Sequence, residues 1–273
     1  MTEDVTSQAA HFAFGKNWAD YATKISEQQI NKAEKGLERL LGRDAIRYRR
    51  FLDIGCGSGI HTLAALRLGV SEALAVDIDP DSVATTQALL EQWAPSTNWH
   101  TQTISVFDLK PSEVGTFDIV YSWGVLHHTG DMKRAICRAS EMVKEGGLFA
   151  FALYRRTLFD LFWKWEKRWY STASPKAQDL ARNVYTALFR FRFWTKGRSF
   201  KEYVTSYSQN RGMVYENDVH DWLGGWPYET ISPSEVEKVM HQLGFTLVRA
   251  FTKEERWIGI LGNGCDEYVY QRR

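Results

Sequence analysis

Three glycines at alternate positions, Gly55, Gly57 and Gly59, follow the short apolar run Phe51-Leu-Asp-Ile54, and Asp77 closes a second run, Ala73-Leu-Ala-Val-Asp77. Glycine lets the backbone turn sharply and lets a ligand approach main-chain atoms with no Cβ in the way. An acid about twenty residues past such a loop suits a carboxylate that binds ribose hydroxyls. Proton chemistry has its own candidates: His127 and His128, whose imidazoles ordinarily titrate near pH ~6.5, Tyr154, and the cluster Asp218, His220 and Asp221. No His-x-x-x-His pair or acid cluster has metal-ligand spacing, so no metal is expected.

The glycine spacing selects among nucleotides. A dinucleotide-binding loop wants its third glycine at position 60, which here is Ile60. Asp53-Ile-Gly-Cys-Gly-Ser-Gly59 instead resembles the first motif of the class I S-adenosylmethionine-dependent methyltransferases, and Phe117-Asp-Ile-Val through Leu126-His-His128 resembles their fourth, notably in small-molecule, ubiquinone-biosynthesis-like members. The resemblance covers roughly residues 45–153 and 230–273. It implies S-adenosylmethionine as cofactor, contacted by Asp53, Gly55, Cys56, Gly57, Ser58, Asp77, Ile78, Phe107, Asp108 and Trp123. Asp108 would receive the adenine amino group. An N-terminal helix would cover the cleft, with Phe14, Asn17 and Trp18 closing over the cofactor or, equally, stapling that helix to the sheet.

The elements that must position these residues follow in order. Asn17 suits the cap of a long amphipathic helix carrying Tyr21, Ile25, Ile30, Leu37 and Leu41. Strands are expected at Phe51–Ile54, 73–77, 99–106, 148–154, 245–252 and 266–271, with a further strand opening the stretch 117–128 and running into a loop, and with helices between them, among them one over 132–143 stopped by Gly146-Gly147. Ser232-Pro-Ser-Glu235 reads as a capping box. This rhythm predicts an α/β fold: a Rossmann-like, seven-stranded, mostly parallel sheet with an antiparallel last strand. An N-terminal helical cover (1–44), a cofactor-binding core (45–153), a helical substrate lid inserted after strand five (154–229) and a completing segment (230–273) are the expected domains.

The insert breaks the pattern in composition as well. Between Tyr154 and Lys201 stand twelve Lys or Arg against three Asp or Glu, a net +9 in a chain of net +1. Leu158, Leu161, Phe162, Trp165 and Trp169 fall at helical spacing on one face. A solvated helical surface explains this, and so does a basic aromatic lid over a small anionic or amphiphilic acceptor; a peripheral membrane surface or RNA also suits it. Tyr215 to Glu229 resembles a segment of small-molecule methyltransferases. His127, His128, Tyr154, His220 and Asp221 are the catalytic candidates, with Asp218 and Trp222 beside them, although a histidine in the fourth motif also commonly packs against backbone. No recognisable nucleic-acid-binding module is present, so a small-molecule acceptor leads, ahead of a tRNA or peptide acceptor or a non-catalytic cofactor-binding module. Three isolated cysteines, no apolar leader and no apolar run of about 18 residues lead us to expect a cytoplasmic, non-spanning protein.

Overall fold

The structure, a computed structural model, describes residues 18, 20–23, 25–211, 215–252, 259–262 and 264–273, with side chains described except at 206 and 208–211. Phe14 and Asn17 lie outside the described residues. The strands are β1 (Arg50–Ile54), β2 (Glu72–Asp77), β3 (Trp99–Thr103), β4 (Phe117–Trp123), β5 (Val143–Tyr154), β6 (Phe245–Phe251) and β7 (Cys265–Arg272). They form one sheet in the order β3-β2-β1-β4-β5-β7-β6. The first five pair in parallel, and β7 runs antiparallel to both β5 and β6. The strand order reverses between β1 and β4, so the carboxyl ends of these two strands flank the crevice where open α/β sheets bind ligands.

Helices cover both faces, which is why 51–54 and 73–76 read as apolar runs, interrupted only by Asp53. Phe51 packs with Ile30, Leu37 and Leu63 from α1 (Glu27–Leu41) and α2 (Ile60–Arg67); α3 (Pro80–Trp93) adds Leu89 and Leu90 to that face. Leu52 and Ile54 face the other way, into a core with Ile136 of α4 (Met132–Glu141) and Val236 and Met240 of α9 (Pro233–Gln242). Between β5 and α9 come α5 (Asp160–Thr172), α6 (Pro175–Thr195), α7 (Phe200–Arg211) and α8 (Tyr215–Gly224). They bury an aromatic core of their own, with Trp163, Tyr170, Tyr207, Tyr215 and Tyr228.

The structure corrects three expectations. The first helix is not continuous: the chain turns at Thr23, and α1 restarts after Ser26, whose N–H donates to Gln29 Oε1 (3.1 Å). That reciprocal cap supplies the first turn of α1 with its partner and makes a restart cheap. Gly146 and Gly147 do not stop a helix. They lie inside β5, where the pairing with β4 jumps from Phe117↔Val143 to Ile119↔Leu148. A Cβ on Gly147 would stand 2.8 Å from Lys144 O and 2.9 Å from Asp118 O, so the bulge needs a residue with no side chain. Finally, β3 ends at Thr103, which places Asp108 on an exposed turn beyond the strand rather than at its tip.

Gly147→Ala is therefore expected to lower unfolding free energy by about 1–3 kcal/mol through overpacking against two carbonyl oxygens. Denaturant titration should show a lower midpoint at an unchanged slope. An unchanged midpoint would mean that the bulge relaxes freely.

Candidate functional site

The glycine loop joins β1 to α2 with all three glycines left-handed: φ is +78° at Gly55, +54° at Gly57 and +78° at Gly59. The neighbours are as demanding as the dihedrals. A Cβ at Gly55 would enter Val125 (2.4 Å), and one at Gly59 would strike Thr86 (2.9 Å). The Gly55 and Cys56 amides donate to Val76 O (2.7 and 3.0 Å), tying the loop to β2. Thr86 of α3 is fully buried and donates to Gly57 O (3.1 Å), with its hydroxyl 3.3 Å from Cys56 Sγ. Burial pushes the Cys56 thiol well above its usual value, so it stays unreactive. Ser58 is buried in the same turn.

Asp77 stands at the tip of β2 with backbone donors on both carboxylate oxygens, among them Gly57 N–H on Oδ2 (3.1 Å) and Asp79 N–H on Oδ1 (3.0 Å). A carboxylate oxygen accepts at two lone pairs, so both retain capacity for a ligand hydroxyl. Burial raises its pKa to about 6, against the pull of those amides. Asp53, behind the loop, accepts from the buried Thr62 hydroxyl (2.6 Å), and burial, reinforced by the charge of Asp77, pushes it up to about 7. Trp18 lies over the loop, its indole 3.2 Å from the position a Gly57 Cβ would occupy. Just after it, Asp20 accepts from Asn217 of α8 (3.0 Å), linking the N-terminal turn to the insert.

A second cluster forms where β4 and β5 end. His127 is fully buried, and its Nδ1 accepts from the Tyr154 amide (3.3 Å) while the two rings pack at 3.9 Å. Nδ1 as acceptor assigns the proton to Nε2, which is buried with no hydrogen-bond partner among the described residues. Burial holds His127 well below the usual imidazole pKa, so it is neutral. His128 takes the opposite tautomer: its Nδ1–H donates to Pro227 O (2.6 Å), and its ring occupies the space of a Cβ on Gly225 (2.7 Å). Residues 225–231 are stitched to this edge, since Glu229 N–H donates to His127 O (3.1 Å) and Ile231 N–H to Tyr154 O (3.1 Å). Glu229 also accepts from Met132 N–H (2.8 Å) at the start of α4.

Tyr154 then meets Trp222 (5.4 Å) and Tyr228 (5.5 Å), so the edge of the sheet continues as an aromatic wall into the insert. Burial keeps the Tyr154 phenol protonated, its pKa raised well above the usual value. Behind the wall, Lys167 is fully buried, donates to Trp222 O and lies 3.6 Å from the Trp222 ring. Burial lowers its pKa to about 7.

The structure thus brings together His127, His128, Tyr154, Trp222 and, unforeseen in the sequence, Tyr228 and Lys167. His220 and Asp218 engage the insert itself. His220 Nδ1 is 2.8 Å from the Tyr170 hydroxyl and 3.0 Å from Arg182 Nη1, and Asp218 accepts from Tyr207. Asp221 is half-buried near Lys167. Trp123, half-exposed, turns its N–H to Glu267 of β7 (3.0 Å), and Phe107 carries Arg134 on its ring face (4.7 Å). Ile78, between Asp77 and Asp79, is half-buried. Thr62 and Thr86 were missed because an isolated threonine carries no spacing signal.

The profile of the methyltransferase domain family matches residues 25–250. The chain belongs to the class I S-adenosylmethionine-dependent methyltransferases. The ubiquinone biosynthesis O-methyltransferase of Xanthomonas campestris pv. campestris (strain B100) is 30% identical over 121 residues, 44% of this chain and 49% of that protein. The tRNA U34 carboxymethyltransferase of Alteromonas mediterranea is 30% identical over 105 residues, 36% of this chain and 30% of that protein. The chain therefore spans about half, or less, of the length of these curated relatives. Among solved structures, magnesium protoporphyrin IX methyltransferase from Synechocystis PCC 6803 superposes with a TM-score of 0.53 at 12% identity, over 90% of this chain and 80% of that one. That likeness concerns the fold, and it agrees with the sheet order and the antiparallel last strand.

S-adenosylmethionine is the cofactor of this class, and the cradle fits it: a side-chain-free loop beneath an indole, and a carboxylate with lone pairs left for two ribose hydroxyls. Ionised Asp77 can accept at both oxygens, whereas protonation would turn one of them into a donor. Because its pKa is raised to about 6, acidification does not weaken the free fold through this group, whose protonation favours the folded state. Binding moves the opposite way. Adenosylhomocysteine affinity should be highest above pH 6 and fall up to tenfold per unit below it. Asp77→Asn should bind more weakly and lose that step. Calorimetry across pH 5 to 8 checks both, and an identical profile in the variant would remove Asp77 from the cofactor site.

Proposed function

We propose that this chain transfers a methyl group from S-adenosylmethionine to an O, N or C nucleophile of a small amphiphilic acceptor held against the Tyr154–Trp222–Tyr228 wall. The observation that carries this is the continuity between the wall and the cofactor cradle: Val125 fills the space above Gly55, and His127 and His128, just after it, pack on Tyr154. Bound cofactor supplies an electrophilic methyl on a sulfonium, and the protein's task is alignment and proton handling.

In this reading the cofactor is held by the Asp53–Gly59 turn, including Cys56 and Ser58, by Asp77 and Ile78, and by Trp18 above; Phe107 and Asp108 lie toward adenine, with Trp123 at the β4 end. The two histidines divide the proton work by tautomer. His127 cannot accept a proton at Nδ1 while it holds the Tyr154 amide, and its Nε2–H is buried, so it stays neutral and positions Tyr154 and the 126–128 turn. His128 gives its Nδ1 proton to Pro227 O, which leaves Nε2 as the ring's basic nitrogen. We assign the general base to His128. His220 and Asp221 act less directly, through Tyr170, Arg182 and Lys167, by holding α8 in place.

The aromatic wall supports an acceptor with an apolar body. An anionic acceptor has less support, because the cations Lys164, Arg168, Lys176, Lys196, Arg198 and Lys201 are exposed on the outside of the insert. A macromolecular acceptor, as in the tRNA-modifying relative, would use that outer surface. The aliphatic residues exposed there give nothing to a phosphate backbone. No disulfide links Cys56, Cys137 and Cys265, which suits a cytoplasmic setting. Among the described residues no helix is long and apolar enough to cross a membrane.

Methyl-labelled cofactor, incubated with the protein and a metabolite extract, should label an organic-soluble small molecule and neither RNA nor protein. His128→Gln should lower kcat about 10²–10⁴-fold and leave adenosylhomocysteine affinity unchanged. Label found in RNA alone would overturn the small-molecule reading. A His128 variant with full turnover would return the base to another group.

A further inference from the structure

Helix α5 is apolar on two opposite faces. Trp163, Lys167 and Tyr170 are buried against the rest of the insert. The face opposite them carries Leu161, Phe162, Trp165 and Trp169, with Leu161 85% and Trp165 65% exposed, and Leu158 extends it at the N-terminal side. The face that helical spacing marked in the sequence is thus turned to water. Helix α6 repeats the arrangement. None of its residues is buried, and Leu180, Val184, Leu188, Phe191 and Trp194, spaced by three or four, form an exposed stripe along its length. Only Ala173 and Ser174 separate the two helices.

Single exposed apolar residues are ordinary, but two successive helices that each turn a continuous aromatic and aliphatic stripe outward mark an interaction surface. Charge identifies the partner. Lys164 and Arg168 flank the α5 stripe, and Lys176, Arg190, Lys196 and Arg198 are exposed along and just beyond α6. A second copy of the chain would bring this +9 segment against itself. Nucleic acid would meet the cations but would leave the leucines and valine without a partner. An anionic bilayer satisfies both: aromatic and aliphatic side chains enter the headgroup–acyl boundary while Lys and Arg reach lipid phosphates.

We propose that α5 and α6 dock this protein on the surface of an anionic lipid bilayer, lying in the interface rather than crossing it. The surface stands on its own residues and does not depend on the methyl-transfer reading. Both helices follow directly from β5, so the docked face belongs to the same helical unit as the aromatic wall.

Flotation of the full chain with phosphatidylcholine vesicles, with and without phosphatidylglycerol, tests this. We expect binding to the phosphatidylglycerol vesicles, little to phosphatidylcholine alone, and weakening in high salt. Trp165→Ser combined with Phe191→Ser should lower the partition coefficient about tenfold or more. Lys164→Glu combined with Arg168→Glu should restrict binding further in phosphatidylglycerol vesicles and change nothing in their absence. All four positions are exposed, and thermal melting of each variant confirms that it is folded. The proposal fails if the wild type does not float, or if the apolar variant floats equally well. It also fails if light scattering shows a wild-type dimer, dissolved by the apolar variant, in a protein that ignores vesicles. Retention by RNA with no vesicle binding would overturn it in favour of nucleic acid.

Discussion

The left-handed backbone of the Asp53–Gly59 turn is the constraint on which the site depends. Three residues there take φ values that cost any side-chain-bearing residue energy, and only glycine leaves room for Val125, Trp18 and Thr86 to close on the loop. That turn joins four elements at once: β1 leads into it, β2 receives its amides at Val76 and Asp77, α2 starts from it, and α3 holds it through Thr86. Asp77 is part of the latch and, in the proposed reading, the group that meets the ribose. Burial raises the energy of its charged form, the Gly57 and Asp79 amides lower it, and the balance leaves a carboxylate that is ionised at neutral pH and still under-satisfied.

The rest of the molecule works by bringing separate pieces to that turn. Trp18 approaches from before the sheet, the His127–His128 turn from β4, Tyr154 from β5, and residues 225–231 return from the insert to bond with both His127 and Tyr154. The Asp20–Asn217 hydrogen bond joins the turn after Trp18 to α8 of the insert across 197 positions. The insert has its own aromatic core around Tyr170 and Tyr207, with Lys167 fixed in it by the Trp222 carbonyl. It therefore offers the sheet edge a preformed wall rather than a loose loop.

What was legible in the sequence was what local physics determines. Strands β1 and β2 are buried on both faces and so read as apolar runs, interrupted only by Asp53; the glycine loop and Asp77 follow from spacing alone. What was hidden depends on a partner far along the chain. Gly146-Gly147 reads the same as a helix stop or as a strand bulge, and only Asp118 O decides between them. Helical spacing marked Leu161, Phe162 and Trp165 as a face without saying whether that face meets protein or solvent. Thr86 acquires its role only because α3 packs beside the loop. The histidine pair was visible, but its division by tautomer was not, because that rests on the Tyr154 amide and the Pro227 carbonyl.

Amide hydrogen exchange with and without adenosylhomocysteine tests the account most directly, because it reads every one of these pieces in a single experiment. The account predicts ligand-dependent protection at residues 55–59, at 77–79 and in the 126–128 turn, extending to 225–231, with α6 unchanged. Protection confined to β6 and β7, or none at the glycine loop under saturating ligand, would contradict it.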